Sequence, residues 1–593
     1  MTDLLRVNDL HVSFSSRAGR IDAVRGLSFR LRAGACTAIV GESGSGKSVC
    51  AQAIMGILPK TARIRSGEIL FNDPSVGKGP CDLTRLDPRS EDYRAIRGGR
   101  ISIIFQEPMT SLSPLHTIGN QISEALELHD GSSSRQAHAR CIDMLKLVRF
   151  PDPERAFKTY PFELSGGLRQ RAVIAMAMIC GPALLIADEP TTALDVTVQA
   201  QILSLMKDVQ SELHTAILLI THDMGVVANM ADEVVVVFKG ELMESGMVDD
   251  IFAAPGHPYL QALMKAVPRI DGNPDQKLVP LRPINPHPGQ LLRQQKEPAG
   301  KNGEPILKVR NLSKTFPVRR SGLFAATAGR ITAVDRVNFD IRRGECLGLV
   351  GESGCGKTTI AKMIMGAINA DSGRILFDDG GVETDLAGMK DADLIPFRQK
   401  IQYIFQDPYG SLNPRMTVFD ILSEPLGIHG IGDKSYRREL VMELMDLVGL
   451  DPRYLSRYPH SFSGGQRQRI GIARALTLRP QFVICDEPVS ALDVSIQAQV
   501  LNLLKDLQRD MGLTYMFITH DLAVVNYIAD RIAVMCRGRL VEIAPRERLF
   551  KNPRHPYTRA LLASAPSPEL GHPLDFAAIC DGGMTEPENW PVP

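Results

Sequence analysis

The chain carries one phosphate-loop pattern twice, with the lysines of the two copies 310 residues apart. The first copy reads GESGSGKS over 41–48, and the second reads GESGCGKT over 351–358. Each follows an apolar run and opens a helix-like stretch, so backbone N–H groups and a helix N-terminus can face one phosphate group. A glycine-rich turn that binds no ligand is the alternative for each loop. Because the pattern recurs in the same context, we expect two nucleotide sites.

Other short segments recur in the same order and indicate a duplicated domain. The Ile-Phe-Gln pair is separated by 300 residues, and the Ser-Gly-Gly, Asp-Glu-Pro, Thr-His-Asp and His-Pro-Tyr pairs are each separated by 298. The spacing falls from 310 residues for the lysines to 298 for the later pairs. The first copy therefore carries extra residues between its early motifs. A repeat of this length is far longer than a solenoid repeat, so it indicates two whole domains.

Charge and hydropathy argue against several classes of protein. The formal net charge is +1, which gives no electrostatic reason to expect nucleic-acid or acidic-lipid binding. No apolar stretch of 18 or more residues is present, and the N-terminus lacks the basic and apolar regions of a secretory signal. We therefore expect no membrane-spanning segment.

The ten cysteines are scattered, without a Cys-x-x-Cys pair. This pattern favours reduced thiols over a disulfide framework, a zinc ribbon or an iron–sulfur cluster. Residues 260–345 contain no cysteine, and only Cys580 follows Cys536. We therefore expect no iron–sulfur cluster.

Short apolar runs between helix-like stretches predict α/β domains with largely parallel sheets. In the first copy such runs precede Asp188-Glu189 and Thr221-His222, and the second copy repeats both arrangements before Asp486-Glu487 and Thr519-His520. Ligands bind at the carboxyl ends of the strands in open α/β sheets, so these polar groups are candidate site residues. A strand that simply leaves the core is the alternative, and its repetition in both copies favours a site.

Composition predicts the domain boundaries. We expect a first domain over 1–268, a proline-rich linker over 269–305, a second domain over 306–566 and a C-terminal tail over 567–593. The linker contains seven prolines among polar residues, which is typical of a semi-extended connection without a core.

The order of the motifs identifies a family. Phosphate loop, Gln, Leu-Ser-Gly-Gly, Asp-Glu-Pro, Ala-Leu-Asp and Thr-His-Asp together resemble the ATP-binding domain of ABC transporters, and the resemblance covers nearly the whole chain twice. The His-Pro-Tyr segments at 257–259 and 555–557 resemble the C-terminal extension of the dipeptide/oligopeptide/nickel import subfamily. The chain thus looks like two such subunits fused, as in glutathione-type importers. The resemblance implies two tandem ABC-type P-loop ATPase domains, each with a mainly parallel core sheet, an antiparallel β portion and a helical subdomain that carries the signature motif.

The resemblance also implies roles for individual residues, with ATP and Mg²⁺ as cofactors. Lys47 and Lys357 are expected to reach the β- and γ-phosphates. The expected catalytic residues are Glu189 and Glu487 as general bases, with His222 and His520 as γ-phosphate contacts. The expected metal-site residues are Ser48, Gln106, Asp188, Thr358, Gln406 and Asp486. The residues expected to bind nucleotide are Phe14, Gly41, Ser43, Gly44, Ser45, Gly46, Lys47, Ser48, Gln106, Ser165, Gly166, Gly167 and Asp188 in the first copy, and Phe316, Gly351, Ser353, Gly354, Cys355, Gly356, Lys357, Thr358, Thr359, Gln406, Ser463, Gly464, Gly465, Gln466 and Asp486 in the second.

Two of these assignments have their own qualifications. Phe14 and Phe316 match the aromatic residue that stacks on adenine, with ordinary core packing as the alternative. The first signature segment carries Leu168 where the second carries Gln466. Because its serine and glycines are intact, we expect that binding survives and that only finer geometry differs. In the family, each signature segment meets the γ-phosphate held by the opposite domain.

The function expected from this resemblance is ATP hydrolysis that powers import of peptides of the di-/oligopeptide or glutathione-like class. It requires two transmembrane permease subunits and, indirectly, a periplasmic or extracellular substrate-binding protein. The two ATPase domains would pair within one chain, at the cytoplasmic face of the inner membrane and without nucleic acid. The alternative is a soluble double ATPase that acts on ribosomes or nucleic acid, and the His-Pro-Tyr extensions favour the importer.

Overall fold

The computed structural model describes residues 3–16, 19–73, 79–106, 111–192, 194–284, 289–293, 303–319, 327–571 and 574. These residues form two compact units. The described residues up to Met264, together with those from Pro566 onward, make the first unit, and Lys265–Ala565 make the second.

The first unit is an α/β domain. Its strands are β1 (Asp3–Ser16), β2 (Gly19–Arg32), β3 (Cys36–Val40), β4 (Ala62–Phe71), β5 (Cys81–Asp82), β6 (Ile101–Ile104), β7 (Leu184–Asp188), β8 (Ala216–Thr221), β9 (Glu233–Phe238) and β10 (Glu241–Met247). Its helices are α1 (Lys47–Ile54), α2 (Glu91–Ile96), α3 (Ile118–His129), α4 (Ser134–Leu147), α5 (Pro153–Lys158), α6 (Gly166–Met178), α7 (Val196–Leu213), α8 (Met224–Met230), α9 (Val248–Ala253) and α10 (Pro258–Ala266), the last of which crosses the boundary between the units.

The second unit repeats this order of strands, with a 3₁₀ helix (Pro452–Ser456) at the place of α5. It begins with the short helix α11 (Gln290–Arg293). Its strands are β11 (Pro305–Arg319), β12 (Thr327–Arg342), β13 (Cys346–Val350), β14 (Ser372–Asp378), β15 (Glu383–Asp385), β16 (Ile401–Ile404), β17 (Phe482–Asp486), β18 (Thr514–Thr519), β19 (Arg531–Cys536) and β20 (Arg539–Pro545). Its further helices are α12 (Lys357–Ile364), α13 (Asp391–Lys400), α14 (Val418–Ile428), α15 (Lys434–Leu447), α16 (Gly464–Leu476), α17 (Val494–Met511), α18 (Leu522–Ile528), α19 (Arg546–Lys551) and α20 (Pro556–Ala563).

In the described part of each unit the strands form one six-stranded and one four-stranded sheet. The larger sheets have the orders β10-β9-β3-β8-β7-β6 and β20-β19-β13-β18-β17-β16, parallel except for the antiparallel last pair β9/β10 or β19/β20. Every residue of β3, β7 and β8 is buried, which explains their mostly apolar sequences, since parallel strands are covered on both faces. The carboxyl ends of these strands therefore meet at one edge, where the site residues lie.

The smaller sheets are antiparallel, with the orders β2-β1-β4-β5 and β12-β11-β14-β15. In the first unit, Leu5, Leu27 and Ile69 from this sheet pack in one core with Ile54 of α1 and Leu218 of β8. In the second unit, helices α14, α15 and α16 share a core with the larger sheet. The sequence-based prediction of the fold is confirmed: each domain has a mainly parallel core sheet, an antiparallel portion and a helical portion that carries the Ser-Gly-Gly segment.

The segment that follows the first domain packs on the second domain. The side chain of Asn526 in α18 donates to the backbone oxygens of Arg269 and Ile270 at 3.1 and 2.9 Å. Lys277 pairs with the buried carboxylate of Asp506 at 2.7 Å. Leu292 of α11 is 1% exposed and belongs to the core of the second unit. The described part of the predicted linker therefore contributes contacts and core to the second domain.

The segment that follows the second domain packs on the first domain in a corresponding way. The amide of Asn229 in α8 donates to the backbone oxygen of Ser567 at 3.4 Å, and its oxygen accepts from the backbone N–H of Leu574 at 2.8 Å. Gly225 permits this approach, since a Cβ on it would lie 2.6 Å from the carbonyl oxygen of Pro566. Most of the predicted tail, from 575 on, lies outside the described residues.

Across the described ranges, no helix combines the length and the apolar character that crossing a membrane requires.

We predict that Gly225→Ala loosens the C-terminal segment. The added methyl group collides with a backbone oxygen, and such overpacking costs about 1–3 kcal/mol. Digestion with a glutamate-specific protease should then cleave at Glu569 faster than in the wild-type protein, as measured by mass spectrometry over time.

Gly471→Ala is the matched control, because Gly471 is also helical and a Cβ on it meets nothing within 4 Å. This variant should digest like the wild-type protein at Glu569. Equal rates for Gly225→Ala and wild type would show that this contact does not hold the segment.

Candidate functional site

The phosphate loop of each unit connects a buried central strand to a helix, β3 to α1 and β13 to α12. Gly46 has φ 90°, and a Cβ there would lie 2.4 Å from the backbone oxygen of Ala23, so only glycine fits. Lys47 is buried, and its Nζ donates to the backbone oxygens of Gly41 and Glu42 at 2.7 and 2.9 Å. The loop thus holds a positive charge at the N-terminus of α1, where an anion is stabilised.

The second loop has the same geometry. Lys357 is buried and donates to the backbone oxygens of Gly351 and Glu352 at 2.6 and 2.8 Å. Cys355, which replaces Ser45 of the first loop, is also buried, with its sulfur 3.8 Å from the Lys357 Nζ. The two loops therefore offer equivalent phosphate sites.

A hydroxyl and a carboxylate lie together beside each loop. Ser48 Oγ donates to Asp188 Oδ1 at 3.1 Å, and Thr358 Oγ1 donates to Asp486 Oδ1 at 3.2 Å. Burial raises the pKa of both aspartates, against the opposing effect of these hydroxyl bonds. Hydroxyl and carboxylate oxygens are the donors that Mg²⁺ prefers, so both pairs fit a magnesium ion beside a bound phosphate.

The acid after each aspartate is the centre of a hydrogen-bond network. Glu189 accepts at Oε2 from the Gln106 amide at 2.7 Å and from Thr192 Oγ1 at 2.9 Å, and its Oε1 lies 3.1 Å from His222 Nδ1. Its φ of 48° is unusual for a non-glycine residue.

This network keeps the glutamate ionised. Burial by itself would raise the pKa of Glu189, but the hydrogen bond and charge of His222, with smaller effects of Thr192 and Lys47, bring the pKa to about 2. An ionised carboxylate at neutral pH is able to accept a proton.

The second unit repeats the arrangement. Glu487 accepts from the Gln406 amide at 2.7 Å, its Oε1 lies 3.2 Å from His520 Nδ1, and its φ is 45°. Burial opposes the effect of His520, which nevertheless lowers the pKa of Glu487. Gln106 and Gln406 were expected at the metal site from the family resemblance. In this structure each of them donates to the glutamate of its own unit.

The Ser-Gly-Gly segments begin other helices, α6 and α16. Ser165 Oγ accepts from the backbone N–H of Leu168 at 3.4 Å, and Ser463 Oγ accepts from that of Gln466 at the same distance. In the second unit Gln466 Oε1 also accepts from the Ser463 N–H at 3.0 Å, which completes a capping box. The side chain of Leu168 has no hydrogen-bond acceptor, so the first signature helix lacks the bond from the serine N–H that completes the capping box.

The two aromatic candidates occupy different environments. Phe14 packs, partly buried, against the core of the first unit. Phe316 is 37% exposed, with Lys314 Nζ 5.6 Å from its ring centre. Adenine stacking stays a prediction for both.

The His-Pro-Tyr tyrosines contact the phosphate loops, which the sequence-based reasoning did not predict. Tyr259 Oη accepts from the backbone N–H of Glu42 at 3.2 Å, and Tyr557 Oη accepts from that of Glu352 at 3.3 Å. In each motif the histidine Nδ1 accepts from the tyrosine N–H at 3.1 Å and so caps the helix that carries the phenol. The sequence signal that could have indicated this contact is the constant spacing between the His-Pro-Tyr motif and the site motifs in both copies.

Known families, relatives and solved structures are similar to this chain. A family model described as "ABC transporter" matches residues 24–192 and 334–490, and one described as "Oligopeptide/dipeptide transporter, C-terminal region" matches 243–296 and 541–578. The chain is 48% identical to the glutathione import ATP-binding protein GsiA of Salmonella typhimurium over 95% of its length and 90% of that relative. It is 47% identical to the protein of the same name from Escherichia coli K12, over 96% of this chain and 90% of the relative. A solved dimeric bacterial ABC transporter cassette matches with 29% identity and a TM-score of 0.36, over 41% of this chain and 99% of its own.

We predict that Tyr259→Phe and Tyr557→Phe each weaken ATP binding at one site. Phenylalanine keeps the ring, which in Tyr259 stacks on Phe238 at 4.3 Å, but removes the acceptor for the loop N–H. One such hydrogen bond contributes about 0.5–1.5 kcal/mol, so the Kd should rise by up to roughly ten-fold. A titration of the purified protein with a fluorescent ATP analogue measures this change.

Tyr458→Phe is the control, because this tyrosine is exposed on the helical portion of the second unit. It should bind the analogue like the wild-type protein. Unchanged affinity in both motif variants would remove the tyrosines from the nucleotide site.

Proposed function

The chain belongs to the family of ABC transporter ATP-binding proteins, and from this membership we propose that it powers the import of a small peptide such as glutathione. The observation that carries the proposal is the duplicated set of loop lysine, hydroxyl–aspartate pair and glutamate–histidine pair at the carboxyl ends of parallel strands. As an importer subunit, the protein hydrolyses ATP and works with transmembrane permease subunits.

In the proposed reaction, Glu189 or Glu487 acts as the general base. The carboxylate accepts a proton from water while the water oxygen forms a bond to the γ-phosphorus. The bond between that phosphorus and its bridging oxygen breaks, and ADP leaves with the electron pair. The glutamine amide and the histidine hold the carboxylate, and the loop lysine neutralises phosphate charge.

Magnesium would be held by Ser48 with Asp188 and by Thr358 with Asp486. When bound there, the ion supplies positive charge that stabilises the β- and γ-phosphate oxygens. The aspartates sit one residue before the general bases, so one strand end positions both the metal ligand and the base.

Pairing of the two domains within one chain is also proposed. Each domain would offer the N-terminus of its signature helix, at Ser165 or Ser463, to the nucleotide of the other. The crossed terminal segments support this proposal, because each domain carries the segment that follows its counterpart. A single chain then supplies both halves of each site.

The transport context follows from the relatives. Two permease subunits, an external substrate-binding protein and a peripheral position on the cytoplasmic face of the inner membrane are proposed on that basis. The glutathione-like cargo is proposed from the printed names of the relatives. Action on ribosomes or nucleic acid is not favoured, because the relatives are import proteins and the net charge is only +1.

We further propose that the protein carries no iron–sulfur cluster. Clusters need thiolate ligands, whereas burial raises the pKa of Cys50 and Cys536 to about 12. No group of three or more metal-binding side chains occurs in the parts of the chain that the structure describes. The purified protein should lack acid-labile sulfide, and stoichiometric iron with sulfide would contradict this proposal.

We predict that the double variant Glu189→Gln, Glu487→Gln binds ATP but hardly hydrolyses it. Glutamine keeps the shape and removes the proton acceptor, whose action typically accelerates a reaction by roughly 10²–10⁴-fold. Phosphate release and bound ATP are measured in the complex assembled with its permease and binding protein, and glutathione and dipeptide uptake are measured alongside.

The single variants and Glu212→Gln, an exposed glutamate at the end of α7, complete the set. Glu212→Gln should match the wild-type rate, and the two single variants should differ because Leu168 makes the paired sites unequal. Near-normal hydrolysis in the double variant would refute the general-base assignment. Hydrolysis without uptake of any peptide by the wild-type complex would refute the cargo class.

A further inference from the structure

In the second unit a tyrosine binds the aspartate of the metal pair. Tyr403 lies on β16, three residues before Gln406. Its Oη donates to Asp486 Oδ2 at 2.5 Å, while Asp486 Oδ1 accepts from Thr358 Oγ1 at 3.2 Å. Both oxygens of this buried carboxylate are therefore held by hydroxyl donors.

The first unit has the same pair without the phenol. Asp188 Oδ1 accepts from Ser48 Oγ at 3.1 Å. The residue three positions before Gln106 is Ile103, whose side chain has no donor. The two hydroxyl–carboxylate pairs therefore share their geometry, and Ile103 offers the first pair no phenol.

A tyrosine hydroxyl is a hydrogen-bond donor, and Tyr403 directs it at Asp486 Oδ2. A bond to Oδ2 restricts rotation of the carboxylate and keeps Oδ1 directed at Thr358. Hydrogen bonds of this kind orient the groups that hold a metal and raise its affinity.

We propose that Tyr403 is a positioning residue for the divalent cation of the second nucleotide site, which therefore binds its metal more tightly than the first site does. The inference rests on the proposed function, since it takes Asp486 and Thr358 as the metal pair. Among the residues that the structure describes, only the second domain has this device, so the two ATP sites differ in their requirement for the cation.

The test uses Mn²⁺ in place of Mg²⁺ and ADP as the nucleotide, with bound Mn²⁺ measured by electron paramagnetic resonance on the full-length protein. Lys47→Ala weakens nucleotide binding at the first site, so the second site becomes the main ADP site. Lys357→Ala does the opposite and leaves the first site as the main ADP site. In the Lys47→Ala background, Tyr403→Phe should raise the Kd for Mn²⁺ about 10-fold. In the Lys357→Ala background it should change nothing.

Two further measurements separate positioning from a general structural role. Tyr409→Phe, which alters an exposed tyrosine three residues after Gln406, should leave Mn²⁺ binding unchanged in both backgrounds. ADP affinity without metal should also be the same with and without Tyr403→Phe.

The possible failures are distinguishable. An unchanged Mn²⁺ affinity at the second site overturns the inference while the proposed function stands. An equal loss of metal-free ADP binding also overturns it, because Tyr403 then supports the strand and not the cation. Absence of ADP-dependent Mn²⁺ binding in the wild-type protein would instead refute the proposed function.

Discussion

The buried carboxylate of Glu189 imposes the constraint on which the site depends. An ionised group taken out of water needs hydrogen bonds or an opposite charge, and the end of β7 offers neither by itself. The hydrogen bonds come instead from Gln106 after β6, from Thr192, three residues after Glu189 in the same segment, and from His222 after β8. Glu189 makes these bonds from a positive φ, a backbone conformation that is costly for a non-glycine residue. A parallel sheet brings all these strand ends to one edge. A different strand order would therefore separate the groups that hold the carboxylate. Any nucleotide-driven shift of Gln106 must also change the surroundings of the base.

The segments that follow the two domains contact helices that begin next to these strand ends. Helix α18 begins two residues after His520, and its Asn526 binds the segment that follows the first domain. Helix α8 has the same relation to His222, and its Asn229 binds the segment that follows the second domain. The histidine contacts the base, and the helix next to it holds the counterpart's segment. Each segment continues from a His-Pro-Tyr helix whose tyrosine contacts a phosphate loop. Each terminal segment is thus joined along the chain to a helix whose tyrosine contacts a phosphate loop, and it packs on a helix that follows a site histidine.

The sequence predicted those features that local pattern determines. Apolar runs that end in Asp188 and His222 located the strand ends, and the repeated spacing predicted two copies of one fold. Contacts that depend on which strands are neighbours were not predictable in this way. Tyr403 reaches Asp486 only because β16 lies beside β17, with Tyr403 paired to Ile484. The proline content of 269–305 predicted an extended connection, but nothing in that composition indicated that Leu292 joins the core of the second unit. The signature helix begins at Gly166, because the Ser165 side chain accepts from the backbone N–H of Leu168 in its first turn.

The differences between the two copies become meaningful when the proposed pairing is considered. The second phosphate loop has Tyr403 behind its aspartate and would face the signature of the first domain, where Leu168 leaves the capping box incomplete. The first loop has Ile103 and would face the fully capped helix at Ser463. The site at the second loop would therefore combine an aspartate held by two hydroxyl groups with the less constrained signature helix. The site at the first loop would combine an aspartate held by one hydroxyl group with the fully capped signature helix. If the signature helix controls how long the domains stay closed and the aspartate controls how readily the cation is held, each site is limited by a different step. The duplication then produces two sites that bind the same nucleotide and respond differently to the supply of the cation.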